Sequence, residues 1–294
     1  MSILFETNPM KINTLSPQKH NFTQITATIA DPPKKLYFIG KLPENPIPTV
    51  AIVGTRKPTA YGKEVAHQLA FELAHRGVLI ISGLALGIDS IAHRAALEAG
   101  QPTIAVLANG VDKPYPASHA NLAKHIVESG GAIISEYPPG TPPLPHQFLA
   151  RNRIVSGLAQ AVVVIEAAAR SGTLSTVGHA LDQGKDIFAV PGNITSPLSV
   201  GCNKLIKQGA TPVTSSQDIM EVVAPDFKSA QTKLALGDTP AEQTILELLQ
   251  NGLRDGDELL AKSQLIASEF NQTITLLEIK GQIRAIGANQ WTLR

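Results

Sequence analysis

Arg151, Asn152 and Arg153 stand in an unbroken row in "FLARNRIVSGLAQ". All three side chains donate hydrogen bonds to phosphate oxygens, and an asparagine also reaches base edges. Such a row also makes ordinary salt bridges on a solvated face. Its position favours a site, because a proline-rich loop delivers it just before the apolar run "AVVVIEA". In "IVGTRKPTAYG", Gly54 permits a tight turn, the amides from Thr55 onward can face an anion, and Arg56 adds a bidentate donor. In "SGLALGID", Ser82 can bind an anion or cap the turn, while Gly83 and Gly87 permit close backbone approach. In "AARSGTLST", Ser171, Gly172 and Thr173 open a helix and offer amides and hydroxyls to a further anion. Lys185 follows near the end of that helix, on a face that can point away.

The acidic residues admit two kinds of chemistry. Asp89 and His93 are four residues apart on one helical face, a spacing open to an acid/base dyad or to two metal ligands. Two ligands do not make a metal site, and an Asp–His hydrogen bond that braces a loop is the commoner outcome. Glu166, at the tip of "VVVIE", could meet a ribose, a base or one of the arginines; a counter-charge to the arginines is the plainer reading. No catalytic residue, metal or cofactor is expected. Several anion cradles and two or three arginines at one sheet edge suit a single-stranded nucleic acid, whereas a mononucleotide needs one cradle.

Apolar runs alternate with helix-length segments from Thr49 onward: "TVAIVG", "VLIISG", "TIAVLANG", "AIISEYPPG", "AVVVIEA" and "DIFAVPG". This rhythm predicts an α/β fold with a doubly wound parallel sheet, whose ligands sit beyond the carboxyl ends of the strands. "LYFIG", between prolines, reads as an edge strand or lead-in. Residues 1–22 are polar and aperiodic and are expected to form a flexible arm. The chain has 294 residues, 43% hydrophobic and only 4% aromatic, consistent with buried aliphatic strands covered by helices. A formal net charge of +1 means that a polyanion partner needs a local basic patch. Cys202 is the lone cysteine, which excludes a disulfide framework within the chain. No apolar run approaches 18 residues, so a soluble, cytoplasmic protein without membrane insertion is expected.

Composition shifts near Pro225. Residues 225–239 read as a linker, and residues 240–294 as short helices followed by a hairpin with an Ala-Asn turn, the pattern of a winged helix. The segment in the position of a recognition helix, "NQTITLLEIKG", carries Glu278 and a single cation, Lys280, which makes a poor major-groove reader.

Seven motifs in order carry a resemblance: "VAIVGTRKPTAYG", "SGLALGIDSIAH", "TIAVLANGVDKPYP", "ISEYPPGTPP", "RNRIVSGLAQAVVVIEAAARSGTLST", "GKDIFAVPG" and "GCNKLIKQGA". The chain resembles the DprA/Smf family, the bacterial DNA-processing proteins of natural transformation, from about residue 22 to 224. The resemblance implies an extended Rossmann-like domain over residues 23–224 followed by the winged helix. It implies a binding protein rather than an enzyme: one that binds and protects incoming single-stranded DNA, forms homodimers and loads the RecA recombinase. Contact with a single-strand-binding protein is a further expectation. The family pocket maps onto Arg56, Ser82, Gly83, Arg151 to Arg153 and Ser171 to Thr173. The dimer contact maps onto the segment of Asn203, Leu205, Ile206 and Val213, and the RecA contact lies near the helix before "GKDIF". The chain departs from the family where Leu86 replaces an arginine, Leu149 a proline and Lys185 an arginine. Ala117 and Ser118 stand where some members carry a lysine. The alternative is a nucleotide phosphoribohydrolase-like enzyme on the same core. It is weakened because "AARSGTLST" lacks a Pro-Gly-Gly and has no carboxylate after Gly-Thr, leaving Glu166 to act alone.

Overall fold

The computed structural model describes residues 11–225, 237–250, 253–287 and 289–293. The chain forms two compact units, divided after Pro225.

The first unit holds β1 (Asn13–Leu15), β2 (Leu36–Gly40), β3 (Thr49–Val53), α1 (Ala60–His75), β4 (Leu79–Ser82), α2 (Ile88–Glu98), β5 (Thr103–Val106), α3 (Ala120–Glu128) and β6 (Ala132–Ser135). It continues with α4 (Pro145–Leu158), β7 (Ala161–Val164), α5 (Thr173–Asp182), β8 (Asp186–Ala189), α6 (Val200–Lys207), β9 (Thr211–Pro212) and α7 (Ser216–Val223). The strands build one sheet in the order β1-β2-β6-β5-β4-β3-β7-β8-β9. The seven strands from β6 to β9 are parallel; β1 and β2 join antiparallel at one edge. The central strands are apolar on both faces because both faces are covered. Val50 and Ile52 of β3 pack with α1, α2 and α7, while Ala51 and Val53 pack with α4, α5 and α6. The alanine-rich composition has a location: α1 and α2 bury Ala66, Ala70, Ala74, Ala92, Ala95 and Ala96 against the sheet.

The sheet is doubly wound as expected, with the reversal of strand order between β3 and β7. One local reading changes. Part of the expected arm belongs to the fold, since β1 pairs with β2 from Asn13↔Phe38 to Leu15↔Leu36, and Phe22 is buried in the core. Three residues are too few to show an alternating pattern, so β1 has no signature in the sequence. The Arg151–Arg153 row, which the proline-rich loop delivers, lies within α4.

The second unit contains α8 (Pro240–Gln250), α9 (Gly256–Ser263), α10 (Ala267–Ile279) and the hairpin β10 (Ile283–Gly287)–β11 (Gln290–Leu293). Ile245, Leu246, Leu259, Phe270, Ile274, Leu277 and Ile283 form its core. Asn289 turns the hairpin with φ of 59°, the left-handed region that asparagine tolerates; Ala288 lies outside the described residues. Most of the expected linker, residues 226–236, also lies outside them.

Candidate nucleic-acid interface

The carboxyl ends of β3, β4 and β7 open into a crevice of about 370 Å³ at the reversal of strand order, where doubly wound sheets place ligands. It is lined by the β3 loop (Gly54, Thr55, Arg56), the β4 loop (Gly83, Ala85), the first turn of α2 (Asp89), α4 (Phe148, Leu149, Arg151, Asn152) and the turn into α5 (Arg170, Ser171, Gly172, Thr173). Residues far apart in sequence are therefore brought together by strand order alone.

The β4 loop is built from the inside. Ser82 is fully buried and its hydroxyl donates to Ile52 O at 2.7 Å, so it is withdrawn from any ligand. The amides of Gly83 and Ala85 donate to Asp89 Oδ2 at 3.0 and 3.4 Å. This cradle already holds a carboxyl group of its own chain, which corrects the expectation that these amides wait for an external anion. Leu84 adopts φ of 57°, and His119 Nδ1 donates to its carbonyl at 2.9 Å. Gly87 is needed because a Cβ there would strike the backbone of Thr55 and Arg56.

Asp89 and His93 do not bond each other. His93 Nδ1 lies 2.8 Å from Thr103 Oγ1, whose only proton goes to Ile80 O at 2.7 Å. The hydroxyl must accept, so His93 is the neutral Nδ1–H tautomer. Burial pushes its pKa down to about 3, aided by His119 and Arg151. Both residues brace the core, but separately.

Arg151 is only 5% exposed. Its Nη1 donates to Gly83 O at 2.8 Å and to Val106 O, tying α4 to the ends of β4 and β5. Burial lowers its pKa to about 10 against the opposing pull of Asp89, so it stays charged at neutral pH. Burial likewise raises the pKa of Asp89, while Arg151 and the amides of Ala85 and Gly83 oppose that shift. Arg151 thus reaches the crevice from beneath. Arg153 does not line it: its guanidinium grips both oxygens of Glu136 at 2.6 and 2.7 Å and the Asp31 carbonyl at 2.7 Å. It clamps α4 to β6 and to the segment before β2.

Glu166 is not the counter-charge of the arginines. Its carboxylate accepts from Thr59 N at 2.9 Å and Thr59 Oγ1 at 2.6 Å, and so secures the start of α1. The turn into α5 is partly self-satisfied, with Thr173 N donating to Ser171 Oγ, and Leu174 N and Ser175 N to the carbonyls of Ser171 and Gly172. The positive end of α5 still faces the crevice. Lys185 precedes β8, at the amino end of the strand and away from the crevice; burial lowers its pKa.

The first unit matches the family described as DNA recombination-mediator protein A over residues 13–224, and residues 229–289 match the DprA winged helix domain. The chain belongs to the DNA recombination-mediator protein A family. It is 42% identical to a Mycobacterium tuberculosis "Putative DNA processing protein DprA" over 79% of this chain and 61% of that one. It is 47% identical to Escherichia coli Smf over 67% of this chain and 53% of that one. The chain thus spans about half to three-fifths of the length of these two relatives. Two solved structures share the fold. DprA from Streptococcus pneumoniae has a TM-score of 0.64 at 38% identity, covering 74% of each chain. DNA processing protein A from Helicobacter pylori, described for its single-stranded DNA binding mode, has a TM-score of 0.65 at 34% identity, covering 74% of this chain and 97% of that one.

Within this family frame, sequence reasoning passed over two crevice residues. Arg170 is exposed and lines the crevice beside Ser171. Its signal was present, a cation immediately before Ser-Gly-Thr. Phe148 lies under Arg56, whose Cζ is 5.7 Å from the ring centroid, and in a chain with 4% aromatics a ring beside the Arg-Asn-Arg row was a legible cue. The expected dimer residues divide differently. Leu205 and Val213 are buried in cores on opposite faces of the sheet, so they cannot share one surface patch. Asn203 bonds the amide and carbonyl of Gly192, and Ile206 is half-buried against the core.

Proposed function

We propose that the crevice binds single-stranded DNA and that the protein acts as a non-catalytic recombination mediator. The observation that carries this reading is the pairing of Arg56 with Phe148 in the crevice lining, to which Arg170 also contributes. Exposed cations beside an aromatic face are what a sequence-tolerant single-strand site needs, cations for phosphates and a ring for a base. The H. pylori relative described for single-stranded DNA binding supports the same reading. Glu166, the carboxylate that the phosphoribohydrolase alternative requires, has both oxygens engaged and lies outside the crevice lining, which disfavours that alternative.

The deciding experiment is fluorescence anisotropy with labelled oligo-dT at low salt. Wild type binds, and Arg56→Ala weakens binding to every sequence alike, because phosphate contacts carry no sequence information. Absence of binding by the wild type would refute the reading. Loading of RecA, homodimer formation, contact with a single-strand-binding protein and a cytoplasmic location complete the proposal. They are checked by RecA filament assembly on coated strands, sedimentation velocity, pull-down and cell fractionation. Among the described residues no helix is long and apolar enough to cross a membrane.

A further inference from the structure

We propose that Tyr115 is a second base-stacking residue, placed beyond the crevice, so that the strand leaves over the loop between β5 and α3. The proposal rests on the reading of the crevice as a single-strand site. Tyr115 does not line the crevice, but its ring meets Phe148 edge-on, with centroids 5.6 Å apart and planes at 62°. Arg56, Phe148 and Tyr115 therefore form a continuous row of cation, ring and ring.

The ring of Tyr115 keeps part of its surface open to solvent beside its contact with Phe148. The residue is 45% exposed, and among the described residues its hydroxyl has no hydrogen-bond partner. Tyr61, exposed to a similar degree, is tied down by its hydroxyl to Pro191 O at 2.9 Å. The loop beneath Tyr115 is nevertheless held firmly. Asn109 Nδ2 donates to Lys113 O at 2.6 Å, Gly140 N to Asp112 Oδ1 at 2.8 Å and Gly110 N to Thr141 O at 3.1 Å. An exposed aromatic on a pinned loop loses little freedom when a base stacks on it. Along the sheet edge, the path from the end of β7 to the end of β5 crosses three strand spacings, about 14 Å. That exceeds one nucleotide, so a strand that runs along the sheet edge has room for a contact on the loop after β5 as well as in the crevice.

The test compares oligo-dT of increasing length with wild type, Tyr115→Ala and Tyr115→Phe. Expected is equal affinity of all three for the shortest dT that binds. Longer dT should bind Tyr115→Ala about 5- to 150-fold more weakly, the range found for loss of one base–aromatic stack, with Tyr115→Phe unchanged. An abasic site walked along the long oligomer should weaken wild type at one more position than Tyr115→Ala. Unchanged affinity for long dT, or the same abasic profile in both proteins, would overturn the proposal while leaving the crevice reading intact. Failure of wild type to bind any dT would remove both. Should Tyr115→Ala not fold, Tyr115→Trp gives a direct readout. Its indole fluorescence, after subtraction of the wild-type signal, should be quenched by long dT and not by the shortest; equal quenching by both, or none, overturns the proposal.

Discussion

Arg151 is the residue whose role changes most when its surroundings are known. An arginine in an Arg-Asn-Arg row reads as a phosphate ligand. In place, its Nη1 is committed to two strand-end carbonyls, its Nε to Asn152, and its charge faces Asp89 in a buried setting. Removing it strands a carboxyl group and two carbonyls. Arg151→Ala should therefore cost about 3–5 kcal/mol, seen as a lowered midpoint in urea. Arg151→Lys should also lose stability, because an ammonium lacks the planar fork. An Arg151→Ala midpoint equal to wild type would show that the side chain only awaits a ligand. His93 supplies a pH dependence. Its folded pKa of about 3 lies below the ordinary value of 6.5, so the unfolded chain binds one more proton between those limits. The stability that neutral His93 contributes is complete above pH 6.5 and is lost as pH falls toward 3. His93→Gln should flatten the stability–pH curve in that window, measured by urea titrations at several pH values; an unchanged slope would mean that other groups set it.

At the scale of elements, the sheet and its helices were legible because strands and helices differ in period, and because Gly-containing loops end β3 and β4. β1 was not, since pairing along an edge can hold three residues that show no pattern of their own. Nor could sequence show that the β4 loop turns its amides onto Asp89, or that Arg153 faces Glu136. Both depend on which side of a helix meets which loop. The winged helix was legible in outline, and its electrostatics now sharpen its role. Residues 237–294 carry eight acidic and five basic side chains. Lys280, the cation at the end of α10, is bound to Asp238 at 2.7 Å and Glu242 at 2.6 Å. An acidic unit whose recognition helix has its cation paired is poorly suited to duplex DNA. Deleting residues 237–294 should leave oligo-dT affinity within about twofold of the full chain, because a unit with more acidic than basic side chains adds little attraction for phosphates. A larger loss by anisotropy would show that this unit contributes to strand binding.

For the whole molecule, net charge and local charge part company. A formal charge of +1 gives little long-range attraction to a polyanion, so binding depends on the few cations at one sheet edge. If the crevice holds a single strand as proposed, Arg56 and Arg170, exposed at the crevice, and Arg151 beneath it would neutralise about two to three phosphates. The log–log dependence of affinity on salt should then have a slope of about −1.4 to −2.1, at about −0.7 per phosphate on a single strand. Arg170→Ala should make it shallower by about 0.7. Leu86 offers the reverse change. It is 47% exposed and follows the crevice-lining Ala85, so Leu86→Arg should tighten binding and steepen the slope by about 0.7. Salt titrations of anisotropy on the three proteins read all of these values. A wild-type slope near zero would mean that stacking rather than charge holds the strand. A Leu86→Arg slope equal to wild type would mean that position 86 faces away from the path.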